Sequence, residues 1–160
     1  MDVKFINAFV GSIVNVFKTM LATDVRVGKP QMKEAEMVSA EVSGIIGLSG
    51  EVQGSVVLSF NGDVASRIAS KFAGTEMTME SPDFSDAIGE LANMVAGNAK
   101  KDFVGYEASI SLPSVILGAG HKVMSSKARP FLVIPCDTTL GRFNVEVAIV
   151  AVKKPVMAGV

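Results

Sequence analysis

One pattern occurs twice along this chain, and it constrains the fold more than any other feature. A long amphipathic helix is followed by extended segments and an apolar hairpin. Over residues 5–21, Ile6, Phe9, Val10, Ile13, Phe17 and Met20 recur at helical spacing on one stripe. Over residues 84–102, Phe84, Ile88, Leu91 and Val95 do the same, flanked by Ala87, Met94, Asn98 and Ala99. The two helices can be set in register. Gly11-Ser12-Ile13-Val14-Asn15-Val16 lies beside Gly89-Glu90-Leu91-Ala92-Asn93-Met94, with Ile6 opposite Phe84, Val10 opposite Ile88 and Phe17 opposite Val95. Any two amphipathic helices match at apolar positions, but the paired glycines and asparagines go beyond that. They point to a weak two-fold internal repeat.

After the first helix comes a polar stretch around Gly28-Lys29-Pro30. Residues 37–48 then alternate through Val38, Ala40 and Val42 and end on Ile45-Ile46. Ser49-Gly50 signals a turn, and residues 55–60 read as the second strand of a hairpin. Asn61-Gly62-Asp63 starts a short helix carrying Val64, Ile68 and Phe72, which Gly74 ends in a left-handed cap. Residues 75–80 connect it to the second long helix, where Ser81 reads as N-cap and Pro82 as the first helical position. Residues 107–112 and 115–117 are extended, and Gly118-Ala119-Gly120 breaks them. Residues 129–136 and 143–152 form a second hairpin around Thr138-Thr139-Leu140-Gly141. The residues after Lys154 read as a frayed tail. This order predicts one α+β domain over residues 1–160, an antiparallel sheet covered by two long helices and a short one.

A chain of 160 residues that is 49% hydrophobic with formal net charge −1 can bury a sizeable core and is not of disordered composition. No face is obviously basic, so nucleic acid is not an expected partner. No apolar run is long enough to span a bilayer, so no membrane is expected either. The apolar stretch near the N-terminus is broken by Asn7, Ser12 and Asn15, which does not fit a signal peptide. The lone Cys136 excludes an internal disulfide, and together these features indicate the cytoplasm.

The second long helix is the informative element. Asp86, Glu90, Asn93, Gly97, Lys100 and Lys101 fall opposite its apolar stripe. Glu90 and Asn93 are neighbours at i, i+3 and point away from the core. Gly97, just beyond them, leaves a gap through which another protein can approach. A bare Glu-x-x-Asn is usually a solvated helix face. Here, however, both repeats carry an asparagine on that face, and asparagine is a poor interior helix residue. Gly89 and Gly97 weaken the same helix by about 1 kcal/mol each relative to alanine. Stability given up without a visible folding reason indicates a working surface.

Asp86-Ala-Ile-Gly-Glu90-Leu-Ala-Asn93-Met-Val-Ala-Gly97-Asn-Ala-Lys resembles the signature helix of the CheC/CheX/FliY phosphatases. Leu112-Pro113-Ser114-Val115-Ile116-Leu117-Gly118 resembles the segment after that helix in CheX-type members. In length and element order the resemblance covers nearly the whole chain. It implies a chemotaxis enzyme that hydrolyses the aspartyl phosphate of a phosphorylated CheY-type response regulator. Glu90 and Asn93 would be the catalytic residues, reaching into the regulator's active site, with Asp86, Gly97 and Lys100 binding the partner. It implies no cofactor of the chain's own, Mg²⁺ being supplied by the regulator. Ser12 stands where a second glutamate would be while Asn15 is retained, which implies one active site per chain, as in CheX-type members. It also implies a homodimer paired through the sheets. Residues 55–60 and 143–152 are long and apolar, and at least one of these strands is expected at an open sheet edge. The rival readings are a non-catalytic module docking on a response regulator or flagellar switch component, and a structural dimerisation domain.

Other signals carry less. His121, the sole histidine, reads as a surface loop residue rather than a catalyst. Cys136, after Pro135 in an apolar strand, reads as a core thiol. Gly118-Ala119-Gly120 is too short for a phosphate loop and precedes no helix. Met77 and Met79 read as core filler.

Overall fold

The first helix begins earlier than the apolar stripe suggests because Asp2 caps it. The Asp2 carboxylate accepts the Lys4 backbone N–H at 3.0 Å, satisfying a donor that the helix itself leaves free. This is a computed structural model describing residues 2–34 and 37–152; the expected frayed tail lies outside the described residues. Helix α1 spans Val3–Leu21. Two short strands follow, β1 (Arg26–Val27) and β2 (Gln31–Met32), flanking Gly28-Lys29-Pro30. Strands β3 (Val42–Gly50) and β4 (Val52–Phe60) form the first hairpin. Helices α2 (Gly62–Ala73) and α3 (Phe84–Lys100) come next. The chain then forms β5 (Ala108–Ile110), β6 (Ser114–Leu117) and the hairpin β7 (Leu132–Thr138) and β8 (Gly141–Ala151).

All pairings are antiparallel, in the order β1-β7-β8-β4-β3-β5, with β2 also on β7 and β6 also on β3. The α+β architecture is the expected one, and the repeat is real in it. Each unit runs helix, two short edge strands, hairpin, and each unit's edge strands pair with the hairpin of the other. The two hairpins meet along β4 and β8, which pair over their length from Val52↔Ala151 to Phe60↔Phe143. The expectation that β4 or β8 lies at a sheet edge is therefore wrong: they are the central strands. Their near-continuous apolar runs mark strands covered on both faces.

The helices pack on one face of the sheet. Phe9, Ile13 and Phe17 of α1, Ile68 of α2, and Ile88, Leu91 and Val95 of α3 are all fully buried there against β3, β4 and β8. Phe17 stacks on Phe143 with ring centres 5.0 Å apart, and Phe5 meets Phe103 edge-on at 5.3 Å. The opposite face carries a smaller cluster of Val57, Phe131 and Ala148. Beside it is a buried ion pair, Lys33 Nζ to Glu146 Oε1 at 2.8 Å, with Lys33 also donating to the Val123 carbonyl.

Several local expectations shift. The buried stripe of α1 centres on Phe5, Phe9, Ser12, Val16 and Phe17, while Met20 is exposed. Gly74 does end α2 in the left-handed region, at φ 73°. Ser81, however, is not the α3 cap. Asp83 occupies that position, without a side-chain cap bond, and the Ser81 hydroxyl accepts the Thr78 N–H at 2.9 Å within the preceding turn.

Candidate active site

Helix α3 presents its polar stripe because its other side is pressed onto the sheet and α1. Gly44 of β3 permits this: a Cβ there would lie 3.3 Å from both Ala92 Cβ and Ile88 Cγ2. Asp86, Glu90, Asn93 and Gly97 are left along the outward face, with Glu90 exposed and Asn93 half-buried. Neither the Glu90 carboxylate nor the Asn93 amide has a hydrogen-bond or ion-pair partner among the described residues. An amide that both donates and accepts, and a carboxylate that only accepts, are thus both free for a partner.

They line a shallow depression of about 430 Å³. Ser85, Asp86 and Gly89 of α3 complete its floor, and Leu112, Pro113 and Val115 make its wall. That wall is clamped in place. Ser111 donates its N–H to the Gly47 carbonyl at 2.9 Å and its hydroxyl accepts the Gly47 N–H at 2.8 Å. Pro113 then lies over Gly89, where a Cβ would meet the proline ring at 3.2 Å. Gly89 is therefore buried and has a folding reason, contrary to the sequence reading. Gly97 has none of comparable tightness, since its Cβ would meet only Ile110 Cδ1, at 3.8 Å. Asp86 shares the depression, whereas Lys100 lies apart from it. Lys100 lines a separate hollow with Glu51 and Glu107. The wall at Leu112–Pro113 was not singled out as part of the site from sequence. Only the pairing of a glycine on the helix with a proline 24 positions later (Gly89 and Pro113) could have signalled it.

The first helix differs more sharply from expectation. Ser12 is buried and donates its hydroxyl to the Val95 carbonyl at 2.5 Å, so it does not stand where a glutamate would. Asn15 is exposed and reaches Asn98 at 3.5 Å. Both pairs are separated by 83 residues. The same step carries Pro30 onto Pro113, and it carries Gly28, which donates its N–H to the Pro135 carbonyl, onto Ser111, which donates to Gly47. The repeat thus aligns Ser12 with Val95, five positions from the register read off the sequence. The first-repeat counterparts of Glu90 and Asn93 are Asn7 and Val10, and neither the carboxylate nor the outward amide at these places is kept there.

His121 is half-buried rather than a surface residue. Its Nδ1 lies 2.7 Å from the Gly118 carbonyl, which can only accept, so Nδ1 carries the proton. The buried Ser43 hydroxyl sits 2.8 Å from Nε2, and the ring ties the loop to β3. Cys136 is a core thiol, and burial pushes its pKa up to about 12. Met77 and Met79 pack against the main core. Among the described residues no group of three histidine, cysteine, aspartate or glutamate side chains could hold a metal ion, and no helix is long and apolar enough to cross a membrane.

The comparisons bear on this arrangement directly. The family model for the chemotaxis phosphatase CheX matches residues 42–137, a span containing Glu90, Asn93 and the Leu112–Pro113 wall. The CheY-P phosphatase CheX of Thermotoga maritima is 29% identical over 128 residues, covering 78% of this chain and 83% of that protein. A CheC-like superfamily protein from Shewanella superposes with a TM-score of 0.84 at 31% identity, covering 94% of this chain and 100% of the other. In the CheX–CheY–BeF3–Mg²⁺ complex from Borrelia burgdorferi, the matching chain has a TM-score of 0.76 and 27% identity, with 91% of this chain and 97% of that one covered. By family match and by fold alike, this chain belongs to the CheX family of chemotaxis phosphatases.

Proposed function

We propose that this chain hydrolyses the aspartyl phosphate of a phosphorylated CheY-type response regulator in the cytoplasm, using the single α3 face. The observation that carries this reading is the pair Glu90 and Asn93, side by side, outward and without partners among the described residues. In the regulator the phosphoryl group sits beside Mg²⁺ and a lysine, which neutralise its charge. What spontaneous hydrolysis lacks is a water held in line for attack. The Asn93 amide orients that water by donating and accepting hydrogen bonds, and it does so without ionising. Glu90 pairs with the regulator's lysine and fixes the docking register. The metal belongs to the substrate, and the chain needs no ion or titrating base of its own. Asp86 lies at the near end of the same depression and contributes to docking. Gly97 leaves the helix backbone open to close approach. Lys100, at the far end of α3, is at most a peripheral contact.

The test is phosphate release from phosphorylated response regulators of the same genome, with and without the chain. Acceleration for at least one regulator is expected. A chain that binds the phosphorylated regulator without accelerating release would instead be the non-catalytic docking module.

A further inference from the structure

We propose that Leu112 is the apolar anchor that seats the phosphorylated regulator on the Glu90–Asn93 face, an inference that rests on the functional reading above. Leu112 is 89% exposed, more than any other large hydrophobic side chain among the described residues. A single exposed leucine needs no explanation in itself. Three features set this one apart.

Its backbone is immobilised on both sides. Ser111 is held by two hydrogen bonds to Gly47, and Pro113 is pressed onto Gly89. The side chain is therefore presented from a rigid turn, and less ordering entropy is lost when a partner covers it. It also lines the depression that contains Glu90 and Asn93, so a regulator reaching those two side chains covers Leu112 as well.

The internal repeat supplies the third feature, as a control within the same molecule. The counterpart turn is Gly28-Lys29-Pro30, with Gly28 N–H donating to the Pro135 carbonyl at 2.8 Å. There the exposed Lys29 takes the place of Leu112. Gly28 has no hydroxyl to make the second clamp, and Ile6 stands where Gly89 does. The fold builds this turn without an apolar residue at its tip. The leucine, the added clamp and the glycine beneath the proline occur together only in the half that carries Glu90 and Asn93. The matching feature on the regulator is an apolar recess beside its phosphorylated aspartate. Glu90 supplies charge register, and Leu112 supplies buried apolar contact.

The experiment is steady-state phosphate release from the phosphorylated regulator by the wild type, Leu112→Lys, Leu112→Met and Lys29→Leu. Leu112→Lys, which installs the residue of the first repeat, is expected to raise KM about tenfold or more at nearly unchanged kcat. Leu112→Met is expected to stay within about twofold of the wild type, and Lys29→Leu to change neither parameter. Leu112 is exposed, so the lysine variant should melt with the wild type. An unchanged KM for Leu112→Lys with an active wild type overturns the anchor and leaves the phosphatase reading standing. A fall in kcat at unchanged KM also overturns it. A wild-type chain that releases phosphate from no regulator of the same genome overturns the functional reading, and the anchor with it.

Discussion

The Ser12 hydroxyl donates to the carbonyl oxygen of Val95, and the two residues occupy equivalent places on the two long helices. The contact sits where α1 and α3 cross, and it decides how the halves of the molecule correspond. With Ser12 on Val95, the first helix offers Asn7 and Val10 where the second offers Glu90 and Asn93. Only α3 carries the glutamate–asparagine pair.

Two substitutions test this correspondence. Ser12→Glu places a carboxylate in a buried helix contact against the Val95 carbonyl, and is expected to destabilise the chain by about 3 kcal/mol or more. Chemical denaturation reads this, and a fully stable variant would show the position to be exposed after all. Asn15→Ala removes only an exposed side chain with a long contact to Asn98. It should leave phosphate release within about twofold, and a large loss would reveal a working site on α1.

Gly97 separates stability from function. Outside its own helix, an added Cβ meets nothing closer than 3.8 Å among the described residues, so Gly97→Ala should stabilise α3 by about 0.5–1 kcal/mol. The same methyl stands in the path of a partner approaching the helix. A higher melting temperature with weaker binding of the phosphorylated regulator is expected. A stabilised variant that binds as well as the wild type would show that the gap is not used.

Much of this was legible in the sequence, and what was not has a physical cause. Helices α1, α2 and α3 follow from apolar spacing, which local geometry enforces. Strands β1 and β2 have two residues each, too few for any alternation to show. The register of the repeat was misread because Ser12 is small and polar and passes for a surface residue until its hydroxyl is seen to bond Val95. That Glu90 and Asn93 share an outward face could be read because a helix face is a local property. The role of Gly89 could not, because its reason lies at Pro113, a contact that exists only once β3 has drawn the turn onto α3.

Cys136 gives a pH dependence. Burial raises its pKa from 9.0 to about 12, so the folded state holds the thiol proton over a range where the unfolded chain releases it. The unfolded state then binds fewer protons, and stability falls as pH rises between those two values. At neutral pH the thiol should resist a thiol-reactive dye until the chain is denatured. Fast labelling of the native chain would contradict the buried position.

The open edges are β1 with β2, and β5 with β6, where Met32, Ile116 and Leu117 are exposed. Exposed apolar edges favour pairing with another chain, and we expect a homodimer. Light scattering at micromolar concentration should give twice the chain mass, and a monomer mass would refute it.

In the proposed reaction Asn93 positions the attacking water while Glu90 sets the docking register. The most direct measurement compares wild type, Asn93→Ala and Glu90→Ala in phosphate release and in binding to the phosphorylated regulator at low and high salt. Asn93→Ala should lose about a hundredfold or more in turnover with binding largely kept. Glu90→Ala should bind more weakly, with the remaining affinity less sensitive to salt. Near-normal turnover by Asn93→Ala would contradict the account.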